Sequence, residues 1–394
     1  MPSVMISCGE PSGDLYAGAL TLELRRLSSG AQVVGLGGEH LRRGGAELVG
    51  DYRGLSVTGL VEAVRVLPRA WAVHRALVER ARRERPDALV VIDFPDFNLR
   101  LARSLHRLGI PVVYYVCPQV WAWRAGRLRV LRRLVDLALV IFPFEAAIYR
   151  DAGIPVEFVG HPLLDLTPVS AGRGALAAEW GLDGAAPTVA LLPGSRPNEL
   201  RGTLPTLAAA VPLIAARVPG AQFVVARAPG LSDELFGPLR AVRGSRIVEV
   251  AGRTDEVLSA SDVVITASGT ATVQAAIHER PMVIVYRLSP LTYRIGKRFV
   301  NVDTYGMANL VAGRRIVPEL IQDAFTPGAV ASETARYFED AAYSARTRAA
   351  LAEVRGRLGD RGASRRAAEL VLAVCEARRG RAGSAGARPG QIAT

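Results

Sequence analysis

The sequence predicts an α/β protein in which two doubly wound parallel-sheet domains face a cleft. Short apolar runs alternate with helical stretches from Val4 to Phe158, which is the pattern of a parallel sheet covered on both faces. The same alternation restarts after a stretch rich in proline, glycine and serine at 162–174. A chain of 394 residues is also too long for one ordinary core. We therefore expect a ligand in the cleft, outside the carboxyl ends of the strands.

The first half of the chain supplies the candidate strands of one sheet. They are rich in valine, isoleucine and leucine, which suit strands buried on both faces, and each is followed by a turn-rich junction. A helix over Leu15–Leu27 follows the first strand and begins the alternation. The predicted strands are Val4–Cys8, Gln32–Gly35, Ala88–Ile92, Val112–Val116, Leu137–Ile141 and Val156–Val159.

The second half repeats this architecture and then turns helical. Its predicted strands are Val189–Leu192, Gln222–Ala226, Arg246–Val248, Val263–Thr266 and Val283–Val285. Helices are predicted over Ala329–Ala342 and Ser344–Ala377. We accordingly divide the chain into residues 1–165, residues 166–342, a C-terminal helix at 343–378 that packs back on the N-terminal domain, and a disordered tail at 379–394.

Composition and hydropathy favour a cytoplasmic protein. Hydrophobic residues make up 49% of the chain and charged residues 22%, as in a soluble α/β protein. No apolar run reaches the roughly 18 residues that a membrane span needs. The N-terminal residues enter a strand without a basic region or a cleavable apolar segment. A peripheral position at the inner membrane remains compatible with these features.

The charge of the chain points away from nucleic acid as a partner. The net charge is +12, and arginine carries almost all of the positive charge, since Lys297 is the only lysine. No nucleic-acid module is visible, and aromatic residues are not interleaved with the basic clusters. An anionic membrane surface or a phosphorylated substrate explains the charge at least as well. We expect no nucleic-acid partner.

Cysteine and histidine spacing predicts no metal centre. Cys8, Cys117 and Cys375 are far apart, and the five histidines form no H-x-x-x-H pair. The cysteines are therefore expected to be buried thiols of a reducing compartment. We expect catalysis without a bound metal.

Two segments of the second half have the form of phosphate cradles. The segments are Val189–Arg196 and Asp262–Thr272, and each runs an apolar strand into a turn of small residues that opens a helix. A Gly/Ser turn lets a ligand approach backbone N–H groups, and a helix N-terminus presents unpaired donors at a positive dipole end. Arg196 adds a fork of charged donors suited to phosphate. We interpret this pair as the site of a diphosphate, such as that of a nucleotide-sugar.

Carboxylates follow two strands of the first half. Glu10 stands in the loop Cys8–Asp14, and Asp93 and Asp96 follow the strand Ala88–Ile92, with Asn98 close behind. A hydroxyl acceptor that attacks an activated sugar needs a positioned carboxylate as general base. Asp96 is the first candidate, with Asp93 and Glu10 behind it. The alternative is that these side chains, with Ser12 and Asp14, only cap helices.

Four further segments allow both a structural and a functional interpretation. Gly35–Gly38 lacks the full G-x-G-x-x-G pattern, so a nicotinamide cofactor is not expected. The aromatic loop Tyr114–Trp123 is suited to core packing or to ligand contact. His161 can donate a hydrogen bond to a diphosphate or serve the fold. The segment Leu60–Arg85, apolar on one side and basic on the other, is either an ordinary packed helix or a surface that meets acyl chains and anionic lipid.

Taken in order, these motifs resemble the lipid-A-disaccharide synthase family, glycosyltransferases of the two-domain GT-B fold with Rossmann-like domains. The resemblance spans roughly Ser3 to Phe325. Its blocks are Gly9–Asp14, Gly35–Gly38, Pro95–Asn98, Tyr114–Trp123, Gly160–Pro162, Leu192–Arg196, Ala267–Thr272 and Asn309–Gly313. Eight blocks in the family's order are far more specific than any one of them.

The resemblance implies a reaction and a set of roles. UDP-2,3-diacylglucosamine would be joined, with inversion, to the 6-hydroxyl of 2,3-diacylglucosamine 1-phosphate, releasing UDP, at the cytoplasmic membrane surface and without a metal or organic cofactor. Residues 1–165 would then bind the acceptor and residues 166–342 the UDP-sugar. Asp96 would be the base, with Glu10 placing the acceptor. The implied donor and substrate contacts are Ser12, Asn98, His161, Gly194, Ser195, Arg196, Ser268, Gly269, Thr270, Gln274 and Asn309. Whether a homodimer forms is left open.

Some positions depart from the family's usual residues. Gln274 stands where a glutamate is common, Cys117 and Gln119 replace serines, and Met307 and Ala308 stand where Leu-Pro is usual. Because a neutral amide oxygen replaces a carboxylate at Gln274, we expect weaker or altered donor binding. A related transferase or a UDP-sugar epimerase with another substrate is therefore a second interpretation. A UDP-sugar-binding protein without turnover is the non-enzymatic one, and intact Asp96, Glu10 and Arg196 argue against it.

Overall fold

A computed structural model describes residues 1–55, 60–118, 126–167, 172–287, 304 and 306–386. The chain forms two compact units. Unit 1 comprises Met1–Leu166 together with Gly359–Thr394, and unit 2 comprises Thr167–Leu358. The predicted fold class, two parallel-sheet α/β domains with C-terminal helices, is confirmed.

Unit 1 is built on a parallel sheet whose strand order reverses beside its first strand. The order is β3-β2-β1-β4-β5-β6-β7, and β1 pairs in parallel with both β2 and β4. The strands are β1 (Ser3–Cys8), β2 (Gln32–Gly37), β3 (Glu47–Asp51), β4 (Ala88–Ile92), β5 (Val112–Tyr115), β6 (Leu137–Val140) and β7 (Val156–Phe158).

Helices cover this sheet because its strands are apolar on both faces. The middle strands β4 and β5 are buried along their whole length. The helices of unit 1 are α1 (Pro11–Leu27), α2 (Glu39–Arg43), α3 (Leu60–Glu84), α4 (Pro95–His106), α5 (Arg127–Leu134), α6 (Pro143–Asp151) and α7 (Leu163–Leu166). One core cluster joins side chains of α3 and α4, such as Leu77 and Leu101, to Leu89 and Tyr114 of the sheet.

Unit 2 repeats the arrangement. Its parallel sheet has the order β10-β9-β8-β11-β12-β13, with the reversal between β8 and β11. Its strands are β8 (Thr188–Leu192), β9 (Gln222–Arg227), β10 (Arg246–Ala251), β11 (Val263–Ala267), β12 (Met282–Tyr286) and β13 (Glu319–Ile321). Its helices are α8 (Arg173–Glu179), α9 (Pro197–Arg217), α10 (Gly237–Arg240), α11 (Thr254–Ala260), α12 (Thr270–Ile277), α13 (Met307–Ala312), α14 (Pro327–Glu339) and α15 (Ala341–Arg357).

The structure corrects the expectations for the C-terminal region. The predicted helix at 343–378 is two helices: α15 lies in unit 2, and α16 (Ala363–Gly386) lies in unit 1 beside α1. The break falls at Gly359 and Gly362, whose φ angles of 89° and 93° favour glycine and end a helix. The tail expected from residue 379 is helical as far as Gly386.

Two edge strands were not predicted from the sequence. The strand β3 lies at one edge of its sheet, and β13 lies at one edge of the other. Their sequences, Glu47–Asp51 and Glu319–Ile321, carry charged residues and only short apolar runs. Edge strands are half-covered, so their sequences lack the continuous apolar run that identifies a central parallel strand.

Asp14 ties two of the sequence blocks together. Its buried carboxylate accepts hydrogen bonds from the backbone N–H groups of Gly38, His40 and Leu41, at 2.6, 2.9 and 3.1 Å. These donors begin α2, so the carboxylate of one helix caps the N-terminus of the next. A Cβ at Gly38 would lie 2.8 Å from the Asp14 carboxylate, so a side chain there would displace it. The structure thus gives Asp14 a capping role at α2.

Replacing Asp14 should therefore destabilise unit 1. Asp14→Ala leaves buried backbone donors without an acceptor, and we expect a loss of about 2–4 kcal/mol in the free energy of unfolding. Asp14→Asn keeps one acceptor oxygen and should lose about half as much. Urea denaturation of both variants beside the exposed control Asp151→Asn checks this. Equal stability of Asp14→Ala and the control would contradict the capping role.

Candidate active site

The carboxylates of unit 1 follow the two strands between which its strand order reverses. Cys8 of β1 pairs in register with Ile92 of β4; Asp93 follows Ile92 directly, and Glu10 is the second residue after Cys8. Both chains therefore leave the sheet at the same carboxyl edge. In open α/β sheets this reversal is where ligands bind, because the crossover helices diverge to opposite faces. The sequence analysis predicted only that these carboxylates follow two strands, and the register shows that the two strands are neighbours.

A strained turn follows β4. Asp93 and Phe94 have φ angles of 45° and 48°, in the left-handed region that non-glycine residues seldom adopt. Two hydrogen bonds stabilise the turn: the carbonyl of Asp93 accepts from Asn98 Nδ2 at 2.7 Å and from the Tyr114 hydroxyl at 2.9 Å. Strain that the surroundings over-determine is typical of functional sites.

The ring of Phe94 explains the glycine of the first loop. An ideal Cβ on Gly9 would lie 2.1 Å from Phe94 Cγ, so only glycine admits the ring at that place. Phe94 stacks in turn on Phe97, with ring centroids 5.4 Å apart. The loop that carries Glu10 and the turn that carries Asp93 are therefore packed against each other.

Asp96 lies in the first turn of α4 and faces solvent. Its side chain is 80% exposed, and its carboxylate accepts a hydrogen bond from the Arg127 guanidinium at 2.5 Å. An exposed ion pair contributes little to stability, so its effect here is to orient the carboxylate. Asp96 is exposed, whereas the other two candidate carboxylates, Glu10 and Asp93, are half-buried. Arg127, at the start of α5, was not singled out from the sequence as its partner.

His161 is a buried, neutral imidazole. It is 2% exposed and packs edge-on to Tyr16, at 6.1 Å between ring centroids, and against Phe142 at 5.2 Å. Burial lowers the pKa of His161 to about 3. Its Nδ1 accepts the backbone N–H of Leu163 at 3.2 Å, so the ring proton is on Nε2. Any hydrogen bond to a phosphate would therefore come from Nε2–H of the neutral ring.

In unit 2 the two predicted cradles lie side by side. Leu192 of β8 pairs with Thr266 of β11, so the turn Gly194–Arg196 and the turn Ser268–Gly269 leave adjacent strands at the reversal point. Gly194 and Gly269 have φ angles of 125° and 146°, which favour glycine. Thr270 begins α12, and the backbone N–H of Ser268 donates to the carbonyl of Val285 at 3.2 Å.

The first cradle is already engaged by a carboxylate. Glu199, in the first turn of α9, accepts the backbone N–H groups of Ser195 and Arg196 at 3.0 and 3.3 Å, and Arg196 Nη1 donates to its other oxygen at 3.3 Å. This is the acidic half of a capping box, in which a side chain three residues into the helix reaches back to the cap. The backbone donors that the sequence analysis reserved for phosphate thus hold the turn, and Glu199 was missed as their partner.

Gln274 lies against a second acidic group. Its Nε2 donates to Asp255 Oδ2 at 3.5 Å, and Asp255 Oδ1 lies 2.9 Å from His278 Nε2. A glutamate at position 274 would face the Asp255 carboxylate, and two like charges at that distance repel. The neutral amide at this position therefore suits its neighbour. Because the amide nitrogen is directed to Asp255, the amide oxygen is the group available as an acceptor.

Two asparagines expected to touch substrate are buried and hydrogen-bonded within the protein. Asn98 is fully buried; its Oδ1 accepts the Ser7 hydroxyl at 2.7 Å, and its Nδ2 donates to the carbonyls that end β1 and β4. Asn309 is 1% exposed. Its Nδ2 donates to Glu319 Oε1 at 2.7 Å, and its Oδ1 accepts the backbone N–H groups of Ile316 and Val317. Their buried polar atoms are satisfied within the protein. Each fixes the loop beside a candidate contact.

The remaining predicted residues fall partly outside the described chain. Ser12 is half-buried in the first turn of α1. Tyr114 and Tyr115 of the aromatic loop are buried, whereas Gln119, Trp121, Trp123 and Arg124 lie outside the described residues. The three cysteines are buried and free, as expected. Among the described residues no cluster of histidine, cysteine and acidic side chains has the geometry of a metal site, and none of the described helices is long and apolar enough to cross a membrane.

Comparison with known proteins places the chain in a sequence family. A family model described as Lipid-A-disaccharide synthetase matches residues 4–374. Lipid-A-disaccharide synthase of Geobacter metallireducens is 43% identical over 372 residues, covering 94% of this chain and 96% of that protein. The same enzyme of Myxococcus xanthus is 43% identical over 371 residues, covering 94% and 97%.

Solved structures share the fold at low identity. UDP-GlcNAc 2-epimerase of Neisseria meningitidis, bound to UDP-GlcNAc, has a TM-score of 0.67 at 14% identity and covers 94% of this chain and 100% of that one. The calicheamicin glycosyltransferase CalG4 has a TM-score of 0.59 at 17% identity, covering 95% and 98%. These likenesses concern the fold alone, since one architecture hosts both epimerases and glycosyltransferases.

The buried state of His161 predicts an acid-sensitive fold. The unfolded state takes up a proton near pH 6.5, whereas the folded ring does so only near pH 3, so stability present above pH 6.5 is lost as the pH falls. Between pH 7.5 and 5 the parent should lose about 2 kcal/mol more unfolding free energy than His161→Gln. Urea denaturation at both pH values checks this, and equal losses would show that the ring is accessible to protons.

Proposed function

Because the chain belongs to the lipid-A-disaccharide synthetase family, it is a glycosyltransferase, and we propose that it joins UDP-2,3-diacylglucosamine to 2,3-diacylglucosamine 1-phosphate. The products are the tetraacyl disaccharide 1-phosphate and UDP. The observation that carries the assignment of roles is the position of Asp96, an exposed and oriented carboxylate at the reversal point of unit 1. The acceptor and its base belong to unit 1, and the nucleotide belongs to unit 2.

Asp96 acts as the general base. Its carboxylate takes the proton of the acceptor 6-hydroxyl while that oxygen attacks the anomeric carbon, and the bond from that carbon to the UDP oxygen breaks with inversion. Arg127 keeps the carboxylate pointed outward without covering it, since Asp96 stays 80% exposed in the pair. Glu10 lies at the end of the neighbouring strand, where it can bind a second hydroxyl of the acceptor.

The nucleotide is held by the turns of unit 2. Backbone N–H groups at the start of α12, preceded by Ser268 and Gly269, receive the diphosphate, and the Arg196 guanidinium stabilises the charge that develops as UDP leaves. Glu199 holds the Arg196 side chain through an ion pair at 3.3 Å. The amide oxygen of Gln274 accepts from a ribose hydroxyl, while its nitrogen remains on Asp255.

The acylated substrates bring unit 1 to the membrane surface. Leu67 and Trp71 of α3 are large apolar side chains that are 51% and 67% exposed. Arg69 stands between them in the sequence, and Arg75, which pairs with Glu79 at 2.8 Å, follows Trp71 by one helical turn. Basic residues therefore accompany the apolar side chains on α3. Such a surface binds in the plane of an anionic bilayer. We assign it to peripheral attachment at the cytoplasmic face of the inner membrane.

Turnover assays test the assignment of the base. UDP release from UDP-2,3-diacylglucosamine should depend on the acceptor, and Asp96→Asn should lower kcat by about 10²–10⁴-fold, because the isosteric amide cannot take the proton. Asp151→Asn, which alters another exposed carboxylate of unit 1, should leave turnover unchanged. Acceptor-dependent release at the parent rate in Asp96→Asn would exclude Asp96 as the base.

Vesicle binding tests the membrane surface. The double substitution Leu67→Ser and Trp71→Ser should reduce co-sedimentation with anionic vesicles while the circular dichroism spectrum stays the same. Leu22→Ser, which removes an exposed apolar side chain of α1, is the matched control and should bind as the parent does. If the double variant co-sediments as well as the control, this surface does not contact the membrane.

A further inference from the structure

A groove runs between α3 and α4 of unit 1. It has a volume of about 700 Å³, within the range of about 300–1,000 Å³ that small-molecule sites occupy. Its apolar lining comes from Leu67, Ala70, Trp71 and Phe97, and a hydrogen bond of 3.3 Å between His74 and Ser104 bridges the two helices within it. The groove thus offers apolar side chains to an alkyl chain and has a polar pair in its lining.

Three arginines border the groove, two in α4 and one directly after its last residue. Arg100, Arg103 and Arg107 are exposed and contribute to its lining. Their spacing of three and four residues places them on one face of the helix, so they form a row of positive charge beside an apolar slot. An amphiphile with an alkyl chain and a phosphate complements that combination, because the chain is withdrawn from water and the phosphate pairs with guanidinium groups.

The same helix face leads to Asp96. Asp96 precedes Arg100 by four residues, which is about 6 Å along the helix axis, and precedes Arg103 by seven, about 10 Å. These distances are on the scale of one sugar ring with its substituents. A sugar whose phosphate pairs with the arginine row can therefore present a hydroxyl from its opposite side to the Asp96 carboxylate.

Ring contacts also connect the groove to the carboxylates. Phe97, in the groove lining, stacks on Phe94, and Phe94 lies against Gly9 beside Glu10. His74 packs edge-on to Phe97 at 6.1 Å between centroids. Packed rings therefore connect the lining of the groove to the loop and the turn that carry the candidate catalytic residues.

We propose that this groove binds one acyl chain of the phosphorylated acceptor and that the arginine row binds its phosphate, so that α4 sets the distance from both to Asp96. The inference rests on the proposed function and deepens it. A surface that only attaches to a bilayer would need exposed apolar side chains, whereas an acceptor site needs a slot of defined length. The two roles predict different behaviour when the slot is filled and the surface kept apolar.

Binding of monomeric alkyl phosphates tests the groove directly. With hexyl, octyl, decyl and dodecyl phosphate below their critical micelle concentrations, calorimetric affinity should rise severalfold with each added pair of methylenes. Ala70→Phe fills the slot with an apolar ring and should weaken dodecyl phosphate binding by at least tenfold. Leu22→Phe, on the exposed face of α1, is the control for added bulk. Arg100→Gln with Arg103→Gln should weaken all the phosphates alike.

Turnover and vesicle binding separate this proposal from the others. Ala70→Phe should raise KM for a long-chain acceptor by a larger factor than KM for a short-chain acceptor, and it should co-sediment with vesicles as the parent does. Affinity independent of chain length, or undiminished in Ala70→Phe with its circular dichroism intact, overturns the groove as a chain site. A parent that binds alkyl phosphates but does not release UDP would instead contradict the proposed function and leave the groove standing.

Discussion

The candidate site depends on one topological constraint: a parallel sheet can change the direction of its strand order only by sending successive crossover helices to opposite faces. In unit 1 this happens between β1 and β4, and in unit 2 between β8 and β11. At each reversal the loops after two adjacent strands diverge and leave the strand ends open to a ligand. Glu10 and Asp93 stand at the first reversal, and Arg196 and Ser268 at the second. Loops alone would not bring the two residues of each pair together.

Three polar side chains, two of them fully buried and one partly exposed, keep those loops in place. Asn98 binds the ends of β1 and β4 at once, Asp14 caps α2, and Glu199 reaches back to the turn that precedes α9. Each replaces water around backbone groups that no regular element satisfies. The glycines and acidic residues of the sequence blocks are explained largely by this support. In the proposed mechanism the exposed carboxylate of Asp96 contacts the substrate.

The central strands and the order of the motifs could be predicted from the sequence, because strands buried on both faces have continuous apolar runs. The hydrogen-bond and ion-pair partners of the candidate residues could not be predicted. No sequence pattern relates Glu199 to Ser195, Asp255 to Gln274 or Arg127 to Asp96 before the fold is known. Asn98 and Asn309 sit within blocks that resemble a catalytic family, and only their burial and hydrogen bonds reveal a supporting role. The edge strands and the break at Gly359 were missed because charge and a single glycine give weak local signals.

The central claim is that the nucleotide belongs to the reversal point of unit 2 and the acceptor to that of unit 1. Hydrogen exchange of the parent protein with UDP alone, read by mass spectrometry at peptide level, tests it most directly. The account predicts slower exchange in the peptides that contain Gly194–Arg196 and Ser268–Gln274, with the peptides of Gly9–Asp14 and Asp93–Asn98 unchanged. Protection of the unit 1 peptides without protection of the unit 2 turns would contradict it.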